Sequence, residues 1–461
     1  MRNIICILLL ITITMLVYKN VNAQPATLWT KTFGGSGADR AYSVQQTLDG
    51  GYIITGSIPA PGYLIKTDAN GNIQWTNTYE GSGKFNGHSV QQTLDGGYIV
   101  GGTLYSGMPQ LRLVKTNVNG VEQWSRLYGD LLHDFGRSVQ QTQDGGYIFG
   151  GSKTSITNND LDFYLLKTNS SGEPQWEKTY GGDNEDSGFS VEQTQDGGYI
   201  FVGDTYSYGA GSGDVYLIKT DSNGNETWSK TYGGTSADAG KSVRQTEDGG
   251  YIITGTYESG QGYSKELYLI KTDEYGDTLW TRTYGGTGRD AGNCVQQTHD
   301  GGYIVVGDIY SIASASLDIW LVRTDSSGDT LWTRTFGQDW GDYGYSVQQT
   351  TDLGYIVAGY LEYGIGDGDA WLIRVAPDIS EPCNLGDVND DGLITPGDAL
   401  CAFQVYLSGG TPPPDCDNPC ALEAADVSCT LNGVTPGDAL YIFRAYLDGK
   451  TPPLECNPEQ K

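Results

Sequence analysis

The sequence predicts an all-β fold, a seven-bladed β-propeller closed by an N-terminal strand, followed by a small α-helical calcium-loop module. Three observations predict it. The phrase running from Ser242 to Tyr251 occurs in seven near-copies, whose turn aspartates are Asp49, Asp95, Asp144, Asp196, Asp248, Asp300 and Asp352. A second phrase, interleaved with the first, carries Trp29, Trp75, Trp124, Trp176, Trp228, Trp280 and Trp332, at spacings of 46, 49 and then 52 residues. The last unit ends at Val375, and at Cys383 a Cys- and Pro-rich composition begins. A period of this length, built of short strands and Gly turns, is a repeat architecture.

One unit divides into four strands. Strand a is Lys241–Thr246, and the turn at Glu247–Gly250 leads into strand b, Tyr251–Gly255. A variable loop follows, then strand c, Leu267–Thr272, and strand d, Thr278–Tyr284. Strands a and c alternate apolar and polar residues while strand b is more uniformly apolar, as expected of inner strands packed between neighbouring blades. The seventh unit, Tyr345–Val375, has no Trp phrase after it, and Leu28–Phe33 precedes the first unit unattached. Placing that strand in the last blade completes seven blades and removes the exposed edges. An open solenoid is the alternative and needs capping repeats.

The chain has 461 residues, with 56 acidic side chains against 27 Lys and Arg, and a net charge of −29. Such a chain repels nucleic acid and anionic membranes. Residues 1–23 read as a signal peptide: Arg2 supplies the positive start, Ile4–Val17 the apolar run, and Val21-Asn22-Ala23 a small-residue cleavage site before Gln24. The expected organisation is therefore a signal peptide at 1–23, a propeller at 24–375, a linker at 376–382 and a calcium-binding domain at 383–461. A secreted or extracellular address, with cell-surface association, follows from the leader, and no retained transmembrane segment is expected. Cys383, Cys401, Cys416, Cys420, Cys429 and Cys456 crowd the C-terminal module, which suggests disulfides in an exported protein, with no pairing assigned. Cys294 stands alone among the repeats, where the other copies carry Ser.

The a–b and c–d turns are short and uniform and belong on one face; the d–a and b–c connections belong on the other. The b–c connections vary most, so recognition is expected there. Their tyrosines Tyr206, Tyr208, Tyr257, Tyr263, Tyr310 and Tyr363 can stack on sugars or contact protein, or simply sit in solvated loops. Asp39, Asp134, Asp186, Asp238, Asp290 and Asp342 recur four residues before the strand-a Ser or its substitute, with Phe85 in that place in the second unit. They fit turn acceptors for backbone amides, or a ring of acids around a central opening. The histidines His88, His133 and His299 fall in different blades and form no Ser/His/Asp or metal-ligand spacing.

The units resemble secreted bacterial β-propeller repeats. The turns Asp221/Gly224/Trp228, Asp273/Gly276/Trp280 and Asp325/Gly328/Trp332 also look distantly like the tryptophan-docking turns of quinoprotein propellers. Because these tryptophans recur in every blade, they read as packing residues and support no catalytic assignment.

In the C-terminal module, Asp387, Asn389 and Asp391 alternate as oxygen ligands, Gly392 permits the bend, and Leu393 offers its carbonyl. Thr395 sits at the often water-mediated position and Asp398 closes the loop. Helices are expected at Pro396–Leu407 and Pro436–Leu447. Here the chain resembles dockerin, type I-like, a duplicated EF-hand-related domain that holds calcium and binds cohesin. The second loop departs by one residue; Asp426, Ser428, Asn432 and Asp438 are its candidate ligands. The family's partner contacts lie near the loop–helix junctions, which are Pro396-Gly397 and Pro436-Gly437 here. The expected function is a secreted, noncatalytic binding or assembly protein, whose propeller recognises a glycan or protein and whose calcium-dependent tail attaches to a cohesin-like partner. The alternative is a secreted carbohydrate-active hydrolase or lyase working at the loop-rich face.

Overall fold

A computed structural model describes residues 24–378, apart from 58–61, 80, 82, 130–132, 260–263, 287, 312–314 and 365. These residues form seven four-stranded antiparallel sheets. Six are consecutive in sequence, spanning 40–79, 84–128, 134–180, 186–232, 239–284 and 291–336. The seventh takes strands a to c from residues 343–375 and its outer strand from Thr27–Phe33. In that closing pair Trp29 lies opposite Arg374 and Phe33 opposite Ala370. Each strand a packs beside strand a of the next blade, and the strand at Arg40–Gln46 meets the one at Tyr343–Gln349, so the ring is closed.

The observed b–c hairpins run further than the apolar pattern predicts. Strand b of the fifth blade extends to Glu258, and its ladder with strand c begins at the Glu258–Lys265 pair. Tyr257, Ile309, Tyr310 and Leu361 are therefore strand residues rather than loop residues. Alternation fades there because the hairpin rises out of the sheet sandwich, while backbone pairing continues regardless of side-chain polarity.

The repeated phrase is explained atom by atom. Its Thr hydroxyl donates to the turn Asp in all seven blades, at 2.5–2.6 Å. The same carboxylate accepts the N–H of the second turn glycine, at 3.0–3.1 Å in blades one to six. It also pairs with a buried strand-c cation: Lys66, Lys115, Lys167, Lys219, Lys271, Arg323 or Arg374. Lys66 shows how such a cation tolerates burial: its Nζ donates to Asp49, to the Thr67 carbonyl and to Gln74 Oε1. With three donors satisfied, the desolvation cost of the ammonium is offset.

The phrase's second Gln joins the blades. Its Oε1 accepts from a turn amide of the preceding blade at 2.8–2.9 Å, seven times, including Thr351 to Gln46 across the closure. The Tyr at the phrase's end packs on the preceding blade's tryptophan, ring centroids 5.7–5.9 Å apart, again seven times. The tryptophans thus pack between blades, as their recurrence predicts. The c–d turn glycine of the next blade lies over the far edge of the same ring, Gly224 on Trp176 for example. A Cβ there would sit 2.6 Å from the indole, and the residue's φ of +73° also favours glycine. The cores between blades are built of such pairs with Ile, Val and Leu from strands b and c.

Candidate functional site at the channel mouth

Every strand a contains a β-bulge at one and the same position. Register shifts bracket Tyr42, His88, Arg137, Phe189, Lys241, Asn293 and Tyr345. Each stands immediately before the strand-a Ser or its Cys294 counterpart, inside the most uniform part of the repeat, yet five of the seven blades carry a residue found in no other copy. A bulge leaves its extra residue out of the ladder and re-aims that side chain. Because strand a is innermost, the seven bulges meet around the axis.

Their contacts form an arc from blade to blade. The Tyr42 ring lies 5.1 Å from Tyr345 and 4.9 Å from His88. Arg137 stands 5.8 Å from the ring centres of both Phe135 and Phe189. Lys241 Nζ lies 3.5 Å from the Phe189 ring centre. Asn293 donates to the Gly344 carbonyl at 2.8 Å and to Asp308 at 3.0 Å. Arg40 lies over Tyr360, two positions before Tyr42 on its strand. Burial, with Arg137 beside it, brings the His88 imidazole down to about 3, so it is neutral near pH 7, and its Nε2 makes no hydrogen bond among the described residues. Burial lowers the Lys241 ammonium, against the opposing pull of Asp204.

Directly below lies a channel of about 370 Å³ lined by the strand-a side chains that follow. Gln45, Gln91, Gln140, Glu192, Gln296 and Gln348 each accept a backbone N–H of the next blade at 2.6–2.8 Å. Arg244 interrupts this series, since a guanidinium has no acceptor. It faces Glu192, whose carboxyl burial holds above its ordinary value, the Arg244 charge opposing only in part.

The tyrosines expected to bind ligand lie away from this ring. Tyr206, Tyr208, Tyr310 and Tyr363 are exposed. Tyr208 donates to the Gly181 carbonyl and Tyr363 to Asp369, while Tyr257 rests on Tyr268. Among the described residues no ring contact joins any two of them; Tyr263 lies outside the described residues. The periodic aspartates are turn acceptors. Asp238, Asp290 and Asp342 each take one amide from the d–a turn and one from the b–c hairpin, as with Gly234 and Glu258 on Asp238. Phe85, in the departing unit, is buried against Gly62 and Arg112.

On this face Asp162 and Asp186 converge on Gly181. Burial, then the Asp186 charge, pushes Asp162 up to about 6. Among the described residues no group of three or more His, Cys, Asp or Glu is placed to hold a metal ion. Asp387, Asn389, Asp391, Leu393, Thr395, Asp398, Asp426, Ser428, Asn432 and Asp438 lie outside the described residues, as do Pro396, Gly397, Pro436, Gly437 and the cysteines of the C-terminal module. No helix among the described residues is long and apolar enough to cross a membrane.

The fold and the bulge ring define a seven-bladed β-propeller with a non-repeated centre. No family model matches the sequence, and no curated protein matches it significantly. Among solved structures, the Neurospora crassa Pan2 WD40 domain is similar at 10% identity and a TM-score of 0.48, over 74% of this chain and 95% of that one. A protein of unknown function from Dyadobacter fermentans DSM 18053 is similar at 10% identity and a TM-score of 0.45, over 77% of this chain and all of that one. A glucose dehydrogenase gives 11% identity and 0.39, over 76% and 99%.

Proposed function

We propose that this chain is an exported, noncatalytic binding or assembly protein. In this reading the propeller recognises a glycan or protein at the channel mouth and the loop-rich face around it. The observation that carries the reading is the bulge ring: a uniform scaffold in which the re-aimed central side chains differ from blade to blade. Uniform positions serve packing, and divergent ones on a rigid frame serve recognition. The residues from 383 onward, dockerin-like by their sequence pattern, would hold calcium through Asp387, Asn389, Asp391, Leu393, Thr395 and Asp398 and attach the propeller to a cohesin-like partner. The leader-like residues 1–23 support export.

Glycan-array binding with the full chain, paired with a hydrolysis assay, tests the propeller. Binding lost in Tyr42→Ala and Tyr345→Ala supports the reading; turnover of a bound glycan replaces it with the hydrolase or lyase alternative, for which Asp162, its carboxyl held protonated to higher pH by burial and by the neighbouring Asp186, speaks. Calcium titration of Asp387→Ala and Asp391→Ala tests the tail, and unchanged binding would remove the assigned loop.

A further inference from the structure

We propose that the bulge ring binds the carboxylate of an acidic sugar between Arg137 and Lys241. This rests on the recognition reading above and names its ligand class. The two cations come from the third and fifth blades and flank Phe189 of the fourth, 5.8 and 3.5 Å from its ring centre.

The decisive observation is Arg137. In a chain with twice as many acids as bases, this half-buried guanidinium has no hydrogen bond or ion pair among the described residues. The groups around it are the rings of Phe135 and Phe189, His88, Tyr42, Tyr105 and, further off, Asp204. The more deeply buried cations of strand c, Lys66 and Arg323 among them, each hold a carboxylate. Lys241 is nearly as poorly served: its one carboxylate, Asp204, stands 3.8 Å away, beyond hydrogen-bond reach. Arg289 and Lys265 add further positive charge near it. A buried cation without an acceptor costs free energy that an incoming oxyanion recovers, and a guanidinium fork fits a carboxylate with two parallel bonds.

The surroundings favour a sugar as the bearer of that carboxylate. Tyr42 and Tyr345 offer ring faces and hydroxyls together, which suits C–H surfaces edged with hydroxyl groups. The channel beneath offers about 370 Å³, enough for a sugar ring, lined mainly by Gln, Ser and Val with Glu192 and Arg244 facing each other among them.

The test is calorimetric titration of the full chain with trigalacturonate, galacturonate, the neutral galactose trimer and a tetra-aspartate peptide. Trigalacturonate is expected to bind, at least tenfold more weakly to Arg137→Gln and to Lys241→Gln, and less with rising salt. Thermal melting of each variant checks folding, and Arg137→Lys, which keeps the charge and loses the fork, is expected to bind at intermediate strength. Galacturonate binding as tightly as the trimer still supports the carboxylate site and makes a free sugar acid its source. Equal binding of the neutral trimer overturns the inference while leaving glycan recognition standing. Tetra-aspartate binding as tightly as trigalacturonate, or no binding by either acidic sugar, also overturns it; only the failure of the array and the loss-of-binding variants removes the recognition reading itself.

Discussion

The Asp378 carboxylate accepts a 2.9 Å hydrogen bond from the indole Nε1 of Trp332. Its other oxygen accepts from Tyr355 OH at 2.7 Å and from Arg323 Nε at 2.6 Å. These are the sixth blade's strand-d tryptophan and strand-c cation and the seventh blade's tyrosine. In other blades the next c–d turn lies over the tryptophan, but the seventh blade has no such turn because the chain leaves there. Asp378 takes its place, and Trp332 is 2% exposed while the other six are half-buried. Asp378→Ala is therefore expected to destabilise the propeller by about 1–3 kcal/mol, leaving the Trp332 and Tyr355 donors without their acceptor and Arg323 Nε with the Tyr355 hydroxyl alone. Urea unfolding followed by tryptophan fluorescence reads it; a change within about 0.5 kcal/mol would mean the carboxylate contributes nothing there.

The seventh copy of the turn also departs in sequence, with Leu353 where the other six have glycine. Leu353 keeps the left-handed conformation of those glycines, at a φ of +65°. A Leu pays about 1–2 kcal/mol for this, partly offset by the extra unfolded-state freedom a glycine brings. Leu353→Gly is expected to stabilise by about 0.5–1 kcal/mol. A lower denaturation midpoint in that variant would show that Leu353 earns its place by packing.

Stability should pass through a maximum in mildly acidic solution. Burial raises Asp162 and Asp342 to about 6 and Asp308 to about 7. Each folded value lies above the ordinary 3.8, so the folded state binds these protons more tightly than the unfolded chain. The associated stability is complete below 3.8 and is lost as pH rises through 6 to 7. Asp144 and Asp196 run the other way. The Thr hydroxyl, Lys ammonium and Gly amide around each outweigh partial burial and hold it at about 2, so their stability is present above 3.8 and lost as pH falls toward 2. The melting temperature is expected to rise from pH 8 to about 5 and to fall below about 4. Asp342→Asn should flatten the upper limb, and an unchanged limb in that variant would exclude Asp342 as a contributor.

The scaffold was legible in the sequence because its work is repeated. Gln46 and its six counterparts make the same bond at every interface, so one phrase recurs seven times. The way the ring closes was legible too: a Trp phrase before the first unit and none after the last places Thr27–Phe33 in the seventh blade. The bulge ring was harder to read from the sequence for the opposite reason. Tyr42, His88, Arg137, Phe189, Lys241, Asn293 and Tyr345 share no one residue type, so no repeated phrase marks them. The signal is one variable column between two nearly uniform ones, each with a single exception, Ala41 before it and Cys294 after it. Asp378 had no such signal: its role depends on the seventh blade lacking a turn, which shows only when the ring is assembled. The hairpin tips were drawn too short because pairing there continues beyond the apolar pattern.

The closing strand makes a prediction that separates a sealed ring from an open stack. Thr27–Phe33 covers the edge of Asp367–Val375, the third strand of the last sheet. Trp29 packs on Tyr52 of the first blade, and Ala376 N–H bonds the Ala26 carbonyl beside it. Removing residues 24–33 uncovers a long apolar strand edge and strips the first blade of its partner ring. Exposed edges of this kind pair with other chains. The shortened protein is expected to associate in light scattering and to melt several degrees lower. A peptide spanning residues 24–33, added in trans, should restore the monomer by refilling the edge, whereas the same peptide with Trp29→Ala should do so poorly, because the ladder would re-form without the contact to Tyr52. A truncated protein that stays monomeric with an unchanged melting temperature would show that the seven blades hold together without this strand.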